Sequence, residues 1–347
     1  MEESANTQLR DKTIAHSIYL QRYYGNTTKE ITKLLEKVEV DLVAKLRSMD
    51  MNSKWSIARI DQQLQSIRAI LNEGYALAGK ELISNMHDAA EYEQEWQIKA
   101  VNESTPIVLD MVTVAPATLF AAVESKPLQG KLIKEWIDKL DQDSYTRIQD
   151  AVRMGLVEGQ SYNDVVKRIT GTKALQYTDG VMALNKRQTQ ALVSTAMAHA
   201  TNTASTEYIL ANQDIFSGVQ WVSTLDRKTS NLCKANDGKI ISIEEVKKGA
   251  LLPPAHIRCR SGKVSVLKSW QALGIKNPDG RTRASMDGQV AQTETYQTWL
   301  KKKPEAFQDE VLGKARADLY RAGMPLDRFV DASGHTYTLD ELKKKEN

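Results

Sequence analysis

The sequence predicts a mainly α-helical protein carrying a small β-containing module, an α+β chain, and three observations lead there. Apolar residues recur at helical spacing through the first hundred residues and again between Leu132 and Ala211. Alternating apolar runs are confined to a short stretch, 219–266. Both cysteines of the chain fall inside that same stretch. With 347 residues, 26% charged and 6% aromatic, the chain suits two or three helix-rich domains better than one large core.

Taken in order, Ile14, Ile18 and Tyr19 begin a short helix that Gly25-Asn26 is expected to end. Thr27-Thr28-Lys29-Glu30 then offers a capping box for the next. Ile31, Leu34, Leu35, Val38, Leu42 and Leu46 form its apolar stripe. A break at Met51-Asn52-Ser53 precedes a third pattern through Ile57, Ile60, Leu64, Ile67, Leu71, Leu77, Ile83, Met86 and Trp96. These residues, 1–102, read as a long-helix region able to form a bundle or coil against partners. Pro106, Pro116, Pro127 and Gly130 punctuate a connector, 103–130.

Helical periodicity resumes in 131–215, through Leu132, Ile133, Trp136, Ile137 and Leu140 and on to Ile148, Val152 and Leu156. Gly155 to Gln160 separates two helices, and Ser161 is placed to cap the one carrying Val165, Val166 and Ile169. A further helix runs from Lys186 to Ala211, its Ala196, Ala198, Ala200 and Ala204 suited to close packing. Residues 216–267 hold the β signals Val219–Ser223, Lys239–Ile243 and Lys263–Val266, with a tight turn at Asp237-Gly238 and Trp221 as core anchor. In the tail, 268–347, Thr338-Leu339-Asp340-Glu341 is a capping box for a last short helix. The opening residues lack a basic and apolar leader, and the apolar stretch from Ile107 to Val123 is interrupted by Asp110 and Pro116. Neither a secretory signal nor a membrane span is expected.

The net charge of +3 is unevenly distributed. From Arg227 to Arg283 there are thirteen Lys or Arg against four acids, a local +9 on a chain whose remainder is about −6. A basic module on a mildly acidic helical body suits a polyanion, and Arg227, Lys228, Arg258, Arg260 and Lys263 are the candidates for phosphate contact. No aromatic platform or recognition-helix pattern accompanies them, so contact with the nucleic-acid backbone is expected and sequence readout is not.

Cys233, His256 and Cys259 are the candidate metal ligands. Zinc in a structural site takes four Cys or His ligands, and only three are supplied. Asp226, Asp237, His199 or water would have to complete the set, and an open position with Asp226 or Asp237 as base would describe a zinc-dependent hydrolase or nuclease. The same residues also fit a pair of reduced buried thiols with a packing histidine. They fit a Cys233–Cys259 disulfide closing a loop of about 25 residues and adding about 3 kcal/mol, and, with least support, a Cys–His nucleophile.

The frame from Trp221 through Thr224-Leu225-Asp226, Cys233, Asp237-Gly238-Lys239, Pro253-Pro254-Ala255-His256 and Cys259 resembles the C-terminal domain of the phage head morphogenesis family, the minor head proteins similar to phage Mu protein F. Gly155–Ser161 and the tail segments Thr295–Leu300 and Phe307–Gly313 resemble the same family, so the likeness spans about Leu132 to Leu342. Against the family's frame, Ser230 and Ser261 stand where two further cysteines would be. The resemblance implies a minor capsid protein, not an enzyme and without a required cofactor, incorporated during procapsid assembly inside the head near the portal. Portal protein, scaffolding or major capsid protein, and double-stranded DNA would be its partners, and the host cytoplasm its place of synthesis.

Overall fold

Two helices of more than forty residues open the chain: α1 (Ala5–Arg47) and α2 (Ile57–Ser104). The computed structural model describes residues 5–48, 57–105, 109–269, 282–286, 288–291, 294–331 and 334–346. The expected break at Met51–Ser53, Pro106, and the basic residues Lys276 and Arg281 lie outside the described residues. After α2 come α3 (Pro116–Ser125), α4 (Ile133–Val157), α5 (Tyr162–Thr170) and α6 (Val181–Ala211). The β-containing part consists of β1 (Phe216–Val222), α7 (Asn231–Asn236), β2 (Ile240–Ser242), α8 (Ile243–Lys247) and β3 (Gly262–Leu267). The hairpin β4 (Thr282–Ser285) and β5 (Gly288–Ala291) follows. The chain continues through α9 (Tyr296–Lys301), α10 (Glu305–Leu312), α11 (Lys314–Arg321) and α12 (Leu339–Glu346). The protein is therefore mainly α with one three-stranded antiparallel sheet, ordered β2-β1-β3. Among the described residues no helix is long and apolar enough to cross a membrane.

The chain forms two compact units, each assembled from separated segments: Met1–Gln21, Glu91–Leu119 and Asn202–Asn347 in one, Arg22–Ala90 and Phe120–Thr201 in the other. They cut across the sequential segments expected from the pattern. In the second unit most of the apolar stripe named from the sequence is buried, with Ile31, Leu35, Leu42 and Leu46 of α1 and Ile60, Leu64, Ile67, Leu71 and Met86 of α2 in the core, whereas Leu77 is exposed and Leu82, not named, takes a core position. Gly74 of α2 allows a close approach, since a Cβ there would lie 2.2 Å from a methyl of Val38. Tyr75 hydrogen-bonds Ser144 of α4 at 2.7 Å.

The helix break expected at Gly25-Asn26 does not occur. α1 runs straight through it, with Thr27, the expected cap, buried inside the helix and Thr28 donating its hydroxyl to the carbonyl of Tyr24, one turn back, at 2.7 Å. The physical reason is burial: Tyr24, Thr27 and Ile31 are all interior, so tertiary packing continues across the glycine and outweighs its helix penalty of about 1 kcal/mol. The connector carries more structure than expected, with α3 starting at Pro116, a position where the missing N–H costs nothing. By contrast, Ser161 caps α5 as anticipated, and Thr338 exchanges hydrogen bonds with Glu341 at the start of α12.

The first unit has two cores. One joins Ala5 and Leu9 from α1, Ala100 and Val101 from α2, and Tyr208 and Ile209 from α6 to Phe216, Trp221, Ile241, Leu267 and both cysteines. Trp221 is fully buried there, as its size led one to expect. The other gathers Tyr296, Trp299, Leu300, Leu312, Tyr320, Phe329 and Leu342 of the tail around Leu225. Asn6 brings the start of α1 onto the sheet, its side-chain carbonyl accepting the N–H of Leu267 at 2.9 Å.

Candidate metal centre

Local structure sets each of the three candidate ligands. Ser230 caps α7, its hydroxyl accepting the N–H of Cys233 at 3.2 Å, which places Cys233 in the first turn of that short helix. Ser223, at the end of β1, then ties the turn down by donating to the carbonyl of Cys233 at 2.8 Å while accepting from the indole N–H of Trp221 at 3.1 Å. On the other side, the N–H of Cys259 bonds the carbonyl of His256 at 3.1 Å and closes a turn. Arg258 inside that turn has φ 60, a left-handed conformation costing a non-glycine residue about 1–3 kcal/mol.

The result is convergence. Cys233 Sγ lies 3.2 Å from His256 Nε2 and 3.7 Å from Cys259 Sγ, and the three donor atoms lie within 4.8 Å of one another. Both cysteines are buried and unbonded, so the disulfide expected as one alternative is not formed. His256 Nδ1 is engaged by the carbonyl of Ile257 at 2.9 Å, which leaves Nε2 as the nitrogen facing the sulfur atoms. Ser230 Oγ stands 2.8 Å from Nε2, and Ser261 lines the same recess.

The electrostatics divide the two thiols. Cys233 is pushed well above the ordinary thiol value, first by its hydrogen bond with Cys259 and then by burial. Cys259 is drawn down to about 4 by that same hydrogen bond, with His256 adding to it against the opposing effect of burial. His256 is raised in turn, chiefly by its interaction with Cys259. The two sulfurs and the imidazole therefore share protons among them, with Cys259 the sulfur on which negative charge is favoured.

Two sulfurs and one imidazole nitrogen, donor types that zinc takes, are thus brought together, and among the described residues no further Cys, His, Asp or Glu joins the group. Asp226 is gripped in a fork by Arg260, with Nη2 at 2.8 Å and Nη1 also bonded, and accepts the N–H of Lys228 at 2.9 Å. Burial pushes its carboxyl up, but the Arg260 hydrogen bond and charge outweigh that and hold it below the usual carboxylate range. Asp237 accepts the N–H groups of Ser223 and Tyr296, both at 2.8 Å. His199 belongs to the other unit, where Nε2 lies 3.3 Å from the carbonyl of Val123. Asp226 and Asp237 thus have their carboxylates engaged by Arg260 and by backbone N–H groups. Both serve as braces.

Of the five basic residues, Lys228, Arg258 and Arg260 line one recess with the candidate ligands Cys233 and His256. Lys228 and Arg258 are exposed on the two loops that carry the ligands, and Arg227 is exposed while pairing with Glu310 at 2.9 Å. Arg260 is half-buried against Asp226. Lys263 is a correction: it is buried, and its amine donates to the carbonyl of Asn202 at 2.6 Å. It stands opposite Trp221 in the β1–β3 register, and opposite residues of an antiparallel pair share a face, so it follows the indole inward.

Two residues near the site were not singled out from the sequence. Lys234, next to Cys233, is buried with its amine on the carbonyl of Val311 at 3.0 Å, and burial lowers it to about 8 against the opposing pull of Asp226. Tyr296 donates its hydroxyl to the carbonyl of Asp226 at 3.0 Å and lies under the Lys234 amine. These contacts tie the tail to the module. A lysine in a basic run gives no signal of inward orientation, although Thr-Tyr at the head of α9 could have been read as a cap followed by a core aromatic.

Residues 146–263 match the family model described as Phage Mu protein F like protein, which supports the family resemblance carried by the Trp221-to-Cys259 frame. No curated protein and no solved structure matches the chain.

Proposed function

We propose that this chain, with its Mu protein F-like segment over residues 146–263, is a head morphogenesis protein of a tailed bacteriophage. In this reading it is a minor capsid component, made in the host cytoplasm, incorporated at the portal vertex during procapsid assembly and resident in the virion. The family match is the observation that carries the proposal. The long helices offer exposed apolar side chains, Val40 and Leu77 among them, for portal, scaffolding or major capsid protein. Arg227, Lys228 and Arg258 offer phosphate contacts on the loops around the Cys/His cluster, where cations attract the backbone of double-stranded DNA without reading its bases.

The DNA contact has a quantitative test. With Arg260 braced and Lys263 buried, two or three cations remain, so log affinity should fall with log salt concentration with a slope of about 2 to 3. Fluorescence anisotropy with two duplexes of unrelated sequence should give the same curve, and Lys228→Glu with Arg258→Glu should flatten it. A preference between duplexes, or no binding at low salt, removes the DNA contact. Crosslinking followed by mass spectrometry of purified particles tests the placement: the expected result is this chain in the virion, linked to the portal protein. Its absence from mature particles overturns the minor-capsid reading.

A further inference from the structure

The sulfur-to-sulfur separation is the most specific geometric fact in the module. Two thiolates at about 2.3 Å from a tetrahedral zinc ion lie about 3.8 Å apart, whereas a disulfide brings them to about 2.05 Å. The observed 3.7 Å fits that edge of the tetrahedron with little movement and is far from a disulfide. His256 Nε2, 3.2 Å from Cys233 Sγ, lies toward a third corner. Its Nδ1, held by the carbonyl of Ile257, has the outer-shell hydrogen bond that fixes the tautomer and ring direction of metal-binding histidines.

We propose that Cys233, His256 and Cys259 hold one zinc ion through two thiolates and an imidazole, with the fourth corner taken by a water beside Ser230. As the ion enters, the protons still held by the sulfurs and by His256 Nε2 pass to solvent, and the two thiolate charges balance the dication. The cationic surroundings do not oppose this as strongly as a charge count suggests, because Arg260, which lines the same recess, is already paired with Asp226. Soft sulfur donors select zinc over magnesium, calcium or manganese. The ion would clamp α7 to the His256–Cys259 turn, a structural role with an exchangeable position. The inference rests on the donor geometry and is independent of the phage-head reading.

The test uses the full chain, purified under reductant. Elemental analysis after dialysis against zinc should find one ion per chain. Titration with Co²⁺ should give thiolate charge-transfer absorption in the near ultraviolet and intense visible bands of a tetrahedral site. Cys259→Ser and His256→Ala should each weaken binding about tenfold or more, read by competition with a chromogenic chelator. Because either variant could fail to fold, Ser230→Cys supplies the opposite sign: a fourth thiolate should tighten binding and raise the charge-transfer intensity. Absence of the cobalt bands together with substoichiometric zinc in the folded wild type, as judged by circular dichroism, overturns the proposal. So does a Ser230→Cys chain that folds and binds no more tightly.

Discussion

Asp226 has its carboxylate spent on Arg260, on Thr229 and on the backbone of Lys228, and a pH dependence follows from that engagement. Its folded value is depressed, so its contribution to stability is present above the unfolded value of about 3.9 and is lost as pH falls through the lower folded value. Urea midpoints followed by tryptophan fluorescence should therefore decline for the wild type below about pH 4. Asp226→Asn should be less stable at neutral pH and show a shallower acid decline; parallel curves would contradict this role. At this scale the sequence was informative about Cys233, His256 and Cys259, because spacing and residue type together restrict what such residues do. It was not informative about Lys263 or Asp226, whose roles depend on a partner in another segment. The alternation of Val264 and Val266 pointed the other way, yet Lys263, Ser265 and Leu267 on the opposite strand face are buried too.

Among the elements, β1 is the most constrained. An added Cβ at Gly218 would lie 2.2 Å from the carbonyl oxygen of Ile241, a backbone atom of β2 that cannot turn aside. Gly218→Ala should therefore cost about 1–3 kcal/mol, an overpacking penalty, while Gly262→Ala in β3, which meets no atom within 4 Å, should change the denaturation midpoint little. Similar losses at both positions would show that the effect is not steric. Helix and strand identity was legible wherever a stripe or alternation was long enough, as in α2, α5 and β3. What misled was local punctuation. Gly25-Asn26 and Thr27–Glu30 carry the signals of a stop and a start, yet the buried face of α1 passes through them unbroken. The hairpin of β4 and β5 went unread, since Thr-Arg-Ala-Ser and Gly-Gln-Val-Ala give no strong alternation.

For the molecule as a whole, the sheet module is not a self-contained domain. Leu9 is fully buried in the same core as Trp221, although more than two hundred residues separate them in the chain. Leu9→Ala should cost about 2–5 kcal/mol and expose Trp221, giving a red-shifted emission at lower denaturant; an unchanged midpoint would mean that the module folds without α1. Such long-range closure leaves no periodic trace, which is why a region read as merely helical supplies part of the module's floor. The hydrogen bond from Leu267 to Asn6 then bears on the order of events during synthesis. The first helical turn emerges from the ribosome long before the strand whose edge it covers, so its bond to Leu267 must wait while some 260 further residues are made. Closure of this core is a late step, because it joins residues 261 positions apart. Folding should be slow for so helical a chain.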